Sequence, residues 1–164
     1  MREVIRFSRL NLEYQTGGPF AAGVFERDTG RRIVLGVNRV IPENLSSAHA
    51  EIVSISIAQK ILNSWDLGSA SLPAIQLVVN WRPCAMCYGA TIWSGIRSLV
   101  IAGSDEACER ITGFDEGPIH PRWKEELDRR GISLQDGVLY DEAVEVFKQF
   151  RAKRCVVYNG RGGK

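Results

Sequence analysis

Four side chains in two short stretches have the types and the spacing of a metal-assisted hydrolytic site. His49 and Glu51 lie in Ser-Ala-His-Ala-Glu, and Cys84 and Cys87 lie in Pro-Cys-Ala-Met-Cys. A catalytic zinc ion takes three protein ligands and keeps its fourth tetrahedral position for water, whereas a structural zinc is closed by a fourth side chain. His49, Cys84 and Cys87 therefore predict one Zn²⁺ per chain, and Glu51 remains free to act as a base.

Helix starts are expected to position these four side chains. One serine of the loop Ile-Pro-Glu-Asn-Leu-Ser-Ser is predicted to cap an apolar helix that begins near Ala48. Pro83 stands where a second helix begins, which extends from Cys84 to Ser94. The spacing of the two cysteines places both sulfurs on one helix face, and the helix dipole favours their thiolate forms.

The remaining patterns predict an α/β chain. Two β-rich runs around Asp28-Thr29-Gly30 predict a hairpin, and two buried strands, AIQLVVN and SLVIAG, flank the cysteine helix as a parallel crossover unit. Residues 1–16 predict a helix, and a charged helix, strand material, a last amphipathic helix and a Gly-rich tail follow GFDEGP. The predicted architecture is one domain, residues 1–164, with a three-layer α/β/α fold and a central mixed sheet.

Composition restricts the classes of partner and compartment. The formal net charge is only +2, so no strong field favours a polyanion, and a nucleic-acid partner is not expected. No run of 18 or more apolar residues occurs, and the N-terminus carries charges where a signal peptide carries its apolar run. We therefore expect a cytoplasmic protein without a membrane partner. Its four cysteines do not form a dense disulfide framework.

The Cys-x-x-Cys pair has other interpretations when it is taken alone. It also fits a redox pair, or a structural zinc corner closed by Cys108 or His120. The upstream His-Ala-Glu and the proline before Cys84 favour the catalytic interpretation, because a closed metal shell gives Glu51 no role.

Several motifs spread over nearly the whole chain carry a family resemblance. With GGPFAA, GVNRV, AHAEI, PCAMCYGATIWS and GFDEGP, the sequence resembles the cytidine deaminase superfamily, and more closely the bacterial guanine deaminases of that fold. Some of those enzymes also act on the triazine ammeline. The chain departs from the pattern at Arg82, where relatives commonly carry Glu before the Pro-Cys pair.

The resemblance implies roles for further residues. Asn38 and the backbone of Ala50 would hold the base, and Asp115 or Glu116 would contact the substrate. Three aromatic residues would wall the pocket: Phe20, Trp93 and Phe114. Without the resemblance, the aromatic residues would be core, Asn38 a turn former and the acidic pair a solvated turn.

The expected reaction is zinc-dependent hydrolysis of guanine to xanthine and ammonia. Glu51 would move the water proton to a ring nitrogen, and Glu116 would contact the exocyclic amine or carry the second proton. Ammeline, guanosine and cytosine remain alternative substrates. A tRNA adenosine deaminase is the main enzyme alternative, because its zinc motif looks the same and the last helix here ends in Arg-Ala-Lys-Arg. A non-catalytic zinc-stabilised module that binds nucleic acid is the alternative from another class.

The family likeness also suggests a homodimer in which C-terminal segments, from about residue 118, are exchanged. The Gly-flanked break at residues 113–118 would serve as the hinge. The tail residues Tyr158-Asn159-Gly160 would then close over a pocket as a lid.

Overall fold

In a computed structural model, residues 1–160 of the chain form a five-stranded sheet with helices on both faces. The end of the Gly-rich tail, residues 161–164, lies outside the described residues. No helix within residues 1–160 has both the length and the apolarity needed to cross a membrane. In chain order, the elements are α1 Arg2–Glu13, β1 Ala21–Glu26, β2 Arg32–Val37, α2 Val40–Glu43, α3 Ala50–Ile61, β3 Ile75–Val79, α4 Ala85–Trp93, β4 Ser98–Ile101, α5 Ala107–Thr112, α6 Trp123–Asp128, β5 Ser133–Gln135 and α7 Tyr140–Ala152.

The sheet is mixed, as predicted. Its strand order is β2-β1-β3-β4-β5, with β1 antiparallel to both β2 and β3, and with β3, β4 and β5 parallel. The predicted hairpin is confirmed, and Gly30 adopts φ +70° in its turn, a conformation that favours glycine. The predicted crossover from β3 through the cysteine helix α4 to β4 is also confirmed.

Alternating residues of the buried strands define the two packed faces. Leu77 and Leu99 belong to the core that contains residues of α3 and α6. Val78 and Val100 belong to a cluster on the other face with Val4 of α1. Helix α7 packs against α1 and α5. Because neighbouring side chains of a strand point to opposite faces, this arrangement confirms the three-layer α/β/α fold.

Three local expectations need correction. The loop before α3 contains the short helix α2. This helix tolerates Pro42, because a proline in the first turn lacks only an N–H that would have no helical partner. No serine caps α3, since its N-cap position is taken by His49, which makes no capping hydrogen bond. Helix α5 was not predicted, because six residues are too short to show a helical period.

Gly36 of β2 sets the distance between α3 and the sheet. A Cβ atom at residue 36 would lie 2.5 Å from Ser54 Oγ and 3.1 Å from the Ala50 carbonyl oxygen. The Ser54 hydroxyl in turn donates to the Ala22 carbonyl oxygen at 2.9 Å. The first turn of α3, which begins directly after His49, therefore rests on a strand surface that has no side chain at this point.

We predict that Gly36→Ala lowers the free energy of unfolding by about 1–3 kcal/mol, the usual cost of overpacking a tight contact. Gly89→Ala is the matched control, because a Cβ there has no neighbour within 4 Å. It lies inside α4 and should stabilise by about 0.5–1 kcal/mol. Urea denaturation of the two variants measures the difference, and equal stabilities would contradict the close approach of α3.

Candidate active site

The three predicted metal ligands meet where α3 and α4 begin. His49 is the N-cap residue of α3, Cys84 is the N-cap residue of α4, and Cys87 lies in the first turn of α4. Their ligand atoms all lie within 4.8 Å of one another, and Cys84 Sγ is 3.5 Å from His49 Nδ1. A tetrahedral zinc ion with bonds of about 2.0–2.3 Å separates its ligand atoms by roughly 3.5 Å. One imidazole and two thiols at this spacing fit zinc.

The electrostatics of the cluster prepare it for a cation. Hydrogen bonds from the Cys87 thiol and from His49 outweigh burial and lower the pKa of Cys84 to about 4. The hydrogen bond to Cys84 and burial raise the pKa of Cys87. Burial lowers the pKa of His49, but the hydrogen bond and charge of Cys84 reverse this effect and raise it overall. The cluster thus favours the thiolate form of Cys84, which is the form that binds metal.

Glu51 lies beside the cluster without belonging to it. It is the second residue of α3 and is only 6% exposed. Burial and the negative charge of Cys84 raise the pKa of Glu51 to about 7. A dication held by the cluster would oppose this shift, because it attracts the carboxylate. Glu51 is therefore placed to exchange protons with a group bound next to the metal.

A cavity of about 180 Å³ opens in front of the cluster. It brings together most of the predicted site residues together with several that were not predicted. Its lining is Phe20, Asn38, Ser46, His49, Glu51, Val79, Trp81, Arg82, Cys84, Phe114, Asp115, Glu116, Tyr158, Asn159 and Gly160. Sequence reasoning missed Trp81, Arg82, Val79 and Ser46; the position of the first two directly before Pro83-Cys84 was the one available signal.

Trp93 and Ala50 do not line this cavity. The expectation that Trp93 walls the pocket is wrong for this chain, because Trp93 is 83% exposed and lies in a separate groove with Ile52 and Trp65. The reason is helical rise: six residues of α4 carry Trp93 about 9 Å along the axis from Cys87. Ala50 is fully buried between two lining residues.

Asn38 presents a free donor at the cavity. Its Oδ1 accepts hydrogen bonds from the backbone N–H groups of Gly18 and Val40, both at 3.3 Å. Its backbone carbonyl is held by Asn11 Nδ2 at 2.9 Å. These contacts fix the amide so that Nδ2 is the remaining group, and it is buried without a hydrogen-bond partner among residues 1–160. An unpaired buried donor is costly unless a ligand supplies its acceptor.

The two acidic residues of the loop after α5, Asp115 and Glu116, have different environments. Asp115 is exposed, and its Oδ1 accepts from the Gly117 N–H at 2.9 Å, so it shapes the turn. Glu116 is half-buried, and its backbone oxygen accepts from the Ala85 N–H at 2.9 Å. Burial and the charges of Cys84 and Glu51 raise the pKa of Glu116 to about 8. A second carboxyl group of high pKa therefore faces the cavity.

Aromatic rings and the C-terminal tail form the outer wall. The ring centroids of Phe20 and Phe114 are 5.2 Å apart, and those of Phe114 and Tyr158 are 4.6 Å apart. Asn159 ties the tail to the acidic loop, since its Nδ2 donates to the Gly113 carbonyl oxygen and its Oδ1 accepts from the Asp115 N–H, both at 2.9 Å. Residues 158–160 of the tail therefore line the cavity of their own chain.

We predict that Cys87→Ala abolishes zinc binding, because two ligands no longer form a tetrahedral catalytic site. His120→Ala and Cys108→Ala should retain about one zinc per chain, since neither residue joins the cluster among residues 1–160. Elemental analysis of the purified variants measures the metal. X-ray absorption showing Cys108 or His120 as a fourth ligand would contradict the open site.

Comparisons with known proteins agree with this geometry. Residues 1–103 match the model of the cytidine and deoxycytidylate deaminase zinc-binding region. Solved structures of the guanine deaminase from Nitrosomonas europaea, one of them a mutant in complex with 8-azaguanine, are 46% identical with a TM-score of 0.89. The second of these structures covers 92% of this chain and 82% of that chain.

Two curated relatives represent the two enzyme alternatives. The guanine deaminase of Bacillus subtilis is 32% identical over 136 residues, which are 82% of this chain and 81% of that protein. The tRNA-specific adenosine deaminase of the same organism is 30% identical over 116 residues, which are 68% of this chain and 66% of that protein. With a zinc-site geometry and a matching family model over most of its length, the chain belongs to the zinc-dependent cytidine and deoxycytidylate deaminase family.

Proposed function

We propose that this chain is a zinc-dependent guanine deaminase, which converts guanine and water into xanthine and ammonia. One observation carries the proposal: the carboxyl groups of Glu51 and Glu116 line the same small cavity as His49 and Cys84 of the metal cluster. Deamination needs two proton deliveries, one to a ring nitrogen and one to the leaving amine. The guanine deaminases from N. europaea and B. subtilis support the choice of substrate.

The chain supplies the proton transfers and the binding of the base. Zinc held by His49, Cys84 and Cys87 would supply Lewis-acid activation of a water molecule. Glu51 takes a proton from the water that attacks the amine-bearing carbon and passes it to a ring nitrogen of the base. Glu51 or Glu116 then transfers the remaining hydroxyl proton to the amine, which leaves as ammonia as the carbon–nitrogen bond breaks and the new carbonyl of xanthine forms.

The edges of guanine match the free groups of the cavity. Guanine has acceptors at O6 and N7, and donors at N1 and the 2-amino group. Asn38 Nδ2, which lacks a partner, fits an acceptor of the base. Glu116 fits the donors, and Phe114 offers a ring for stacking. In this pose, an acceptor of the base receives a hydrogen bond from Asn38, and its N–H groups donate to Glu116.

The size and enclosure of the cavity favour a free base over a tRNA substrate. Its volume of about 180 Å³ lies below the roughly 300–1,000 Å³ of sites for drug-sized ligands. A base in an RNA loop must enter with its ribose and backbone attached, and Tyr158 and Asn159 take up part of the cavity wall. Guanosine meets the same obstacle, while ammeline and cytosine remain distinguishable by assay.

We further propose a cytoplasmic homodimer built from a single deaminase domain. The exposure of four large apolar side chains on α3 and α4, namely Ile57, Ile61, Met86 and Trp93, supports a protein interface. Exchange of the C-terminal segments is supported by Gly113 and Gly117, which have φ of +83° and +72° on either side of the acidic loop. In the single chain, α7 packs against its own α1 and α5.

Ammonia release from guanine, ammeline, cytosine, guanosine and an adenosine-containing tRNA stem-loop tests the proposed substrate. We predict the highest kcat/KM for free guanine, with xanthine as the product. Glu51→Gln should keep its zinc and lose about 10²–10⁴-fold in kcat, because it removes one acid–base group. A preference for the stem-loop, with salt-dependent binding, would replace this proposal with tRNA deamination.

Glu116→Gln should lower kcat/KM on guanine by about 10²–10⁴-fold at unchanged zinc content, since the amide cannot accept a proton. Asp115→Asn is the matched control, because Asp115 is exposed and its side chain serves the turn. Its kcat/KM should stay within a few-fold of wild type. Near-wild-type kinetics for Glu116→Gln would remove Glu116 from the proton transfers.

A further inference from the structure

An ion pair joins the loop that carries Cys84 to the helix that leads into the acidic loop. Arg82 lies two residues before Cys84, and its Nη2 is 2.5 Å from Glu109 Oε1 on α5. The two side chains are 13% and 28% exposed. Arg82 also lines the cavity, whereas Glu109 does not. The pair therefore connects the stretch before Cys84 with α5.

The burial of this pair argues against a purely stabilising role. Taking two charges out of water costs free energy that their attraction often fails to recover, so an apolar pair of similar size is commonly as stable. Here the cost is visible, because Arg82 Nε and Glu109 Oε2 are both buried without hydrogen-bond partners among residues 1–160. Unlike an apolar contact, the hydrogen bond between Arg82 and Glu109 fixes both the distance and the orientation of the two side chains.

Glu109 transmits that constraint to the cavity. Its backbone oxygen accepts from the Gly113 N–H at 2.9 Å, which closes α5 immediately before Phe114. On the other side, the Arg82 N–H donates to the Gly103 carbonyl oxygen at 2.9 Å, which anchors the metal-site loop behind β4. The position of α5 relative to Cys84 therefore determines where Phe114 and Glu116 stand.

A second link runs in parallel with the ion pair. The Ala85 N–H donates to the Glu116 backbone oxygen at 2.9 Å, so the first turn of α4 holds the acidic loop directly. The tail residue Asn159 holds the same loop at Gly113 and Asp115. The contacts that fix the loop relative to the metal-binding stretch are Ala85 to Glu116 and Arg82 to Glu109, and the second restricts rotation about the first.

We propose that Arg82 is a positioning residue for the deamination reaction, which acts through Glu109 to hold Phe114 and Glu116 at a fixed distance from the metal cluster. This inference rests on the proposed function for its reaction, but the placement of the loop does not depend on which base is the substrate. A displacement of about 1 Å at reacting groups can cost about 10²-fold in rate. A loosened acidic loop should therefore impair catalysis while the protein remains folded.

The test compares Arg82→Gln, Glu109→Gln, the double variant and the charge-reversed variant Arg82→Glu/Glu109→Arg. Arg130→Gln is the matched control, because Arg130 pairs at 2.6 Å with Glu126 of α6 and neither residue lines the cavity. Zinc content, kcat and KM on guanine, and hydrogen exchange of residues 113–118 are measured well below each melting temperature. Arg82→Lys, which keeps the charge, replaces Arg82→Gln if that variant does not fold.

We expect each single Gln variant to keep its zinc and to lose about 10²-fold in kcat/KM, mainly in kcat. The double variant should lose no more than a single variant, because one link is removed in each case. The kcat/KM of the charge-reversed variant should be at least about tenfold higher than that of the single variants. Exchange at residues 113–118 should rise about tenfold in the single variants and fall again on charge reversal.

Lower melting temperatures with unchanged kcat and unchanged exchange at residues 113–118 would overturn the proposal, since the pair would then be structural only. Additive losses in the double variant would overturn it as well. If the wild type turns over another amino-heterocycle instead of guanine, the substrate proposal fails, and the same ratios are measured with that compound. The exchange measurement requires no substrate and decides the role of Arg82 separately.

Discussion

The structure depends on the convergence of two helix N-termini at one point. Each metal-binding stretch supplies its first ligand from an N-cap position, His49 for α3 and Cys84 for α4. N-cap residues commonly satisfy the free N–H groups of the first turn with a side-chain oxygen. Here neither N-cap makes that hydrogen bond, because the imidazole and the thiol point to each other at 3.5 Å. Two helices therefore lack a capping hydrogen bond, because their N-cap side chains are directed to the metal cluster.

Packing against the sheet stabilises these uncapped helices. Gly36 allows α3 to pack closely on β2, and the central strands β3 and β4 are buried on both faces. Rigid elements of this kind hold catalytic groups more precisely than loops do. Glu51 follows His49 on the same helix, so one element fixes the ligand and the proton carrier together.

The substrate side of the cavity is built differently, from loops that are held by polar contacts. Asn38 is fixed by backbone groups of Gly18 and Val40, and the acidic loop is held by Ala85 and by Asn159 of the tail. Substrate selectivity can therefore change through loop residues without disturbance of the metal cluster. This division agrees with the similarity of this chain both to a guanine deaminase and to a tRNA-specific adenosine deaminase.

The sequence predicted best where chemistry and periodicity coincide. The metal cluster and Glu51 are recognisable because ligand types and helix spacing are both local features. Asn38, Phe114 and Glu116 came from the family resemblance, and their approach to the cavity depends on tertiary packing. Trp93 was misplaced because a linear motif does not show how far a helix carries its last residue. The Arg82–Glu109 pair joins residues 27 positions apart, which no local pattern indicates.

In the proposed enzyme, one small cavity presents guanine to Asn38, Glu116 and the metal cluster at the same time. A crystal structure of the zinc-loaded Glu51→Gln variant with guanine bound tests this arrangement. We predict that Asn38 Nδ2 lies within about 3.2 Å of an acceptor of the base, and a Glu116 oxygen within the same distance of an N–H donor. The amine-bearing carbon should face the zinc. Guanine bound outside the cavity, or with that carbon directed away from the metal, would contradict the account.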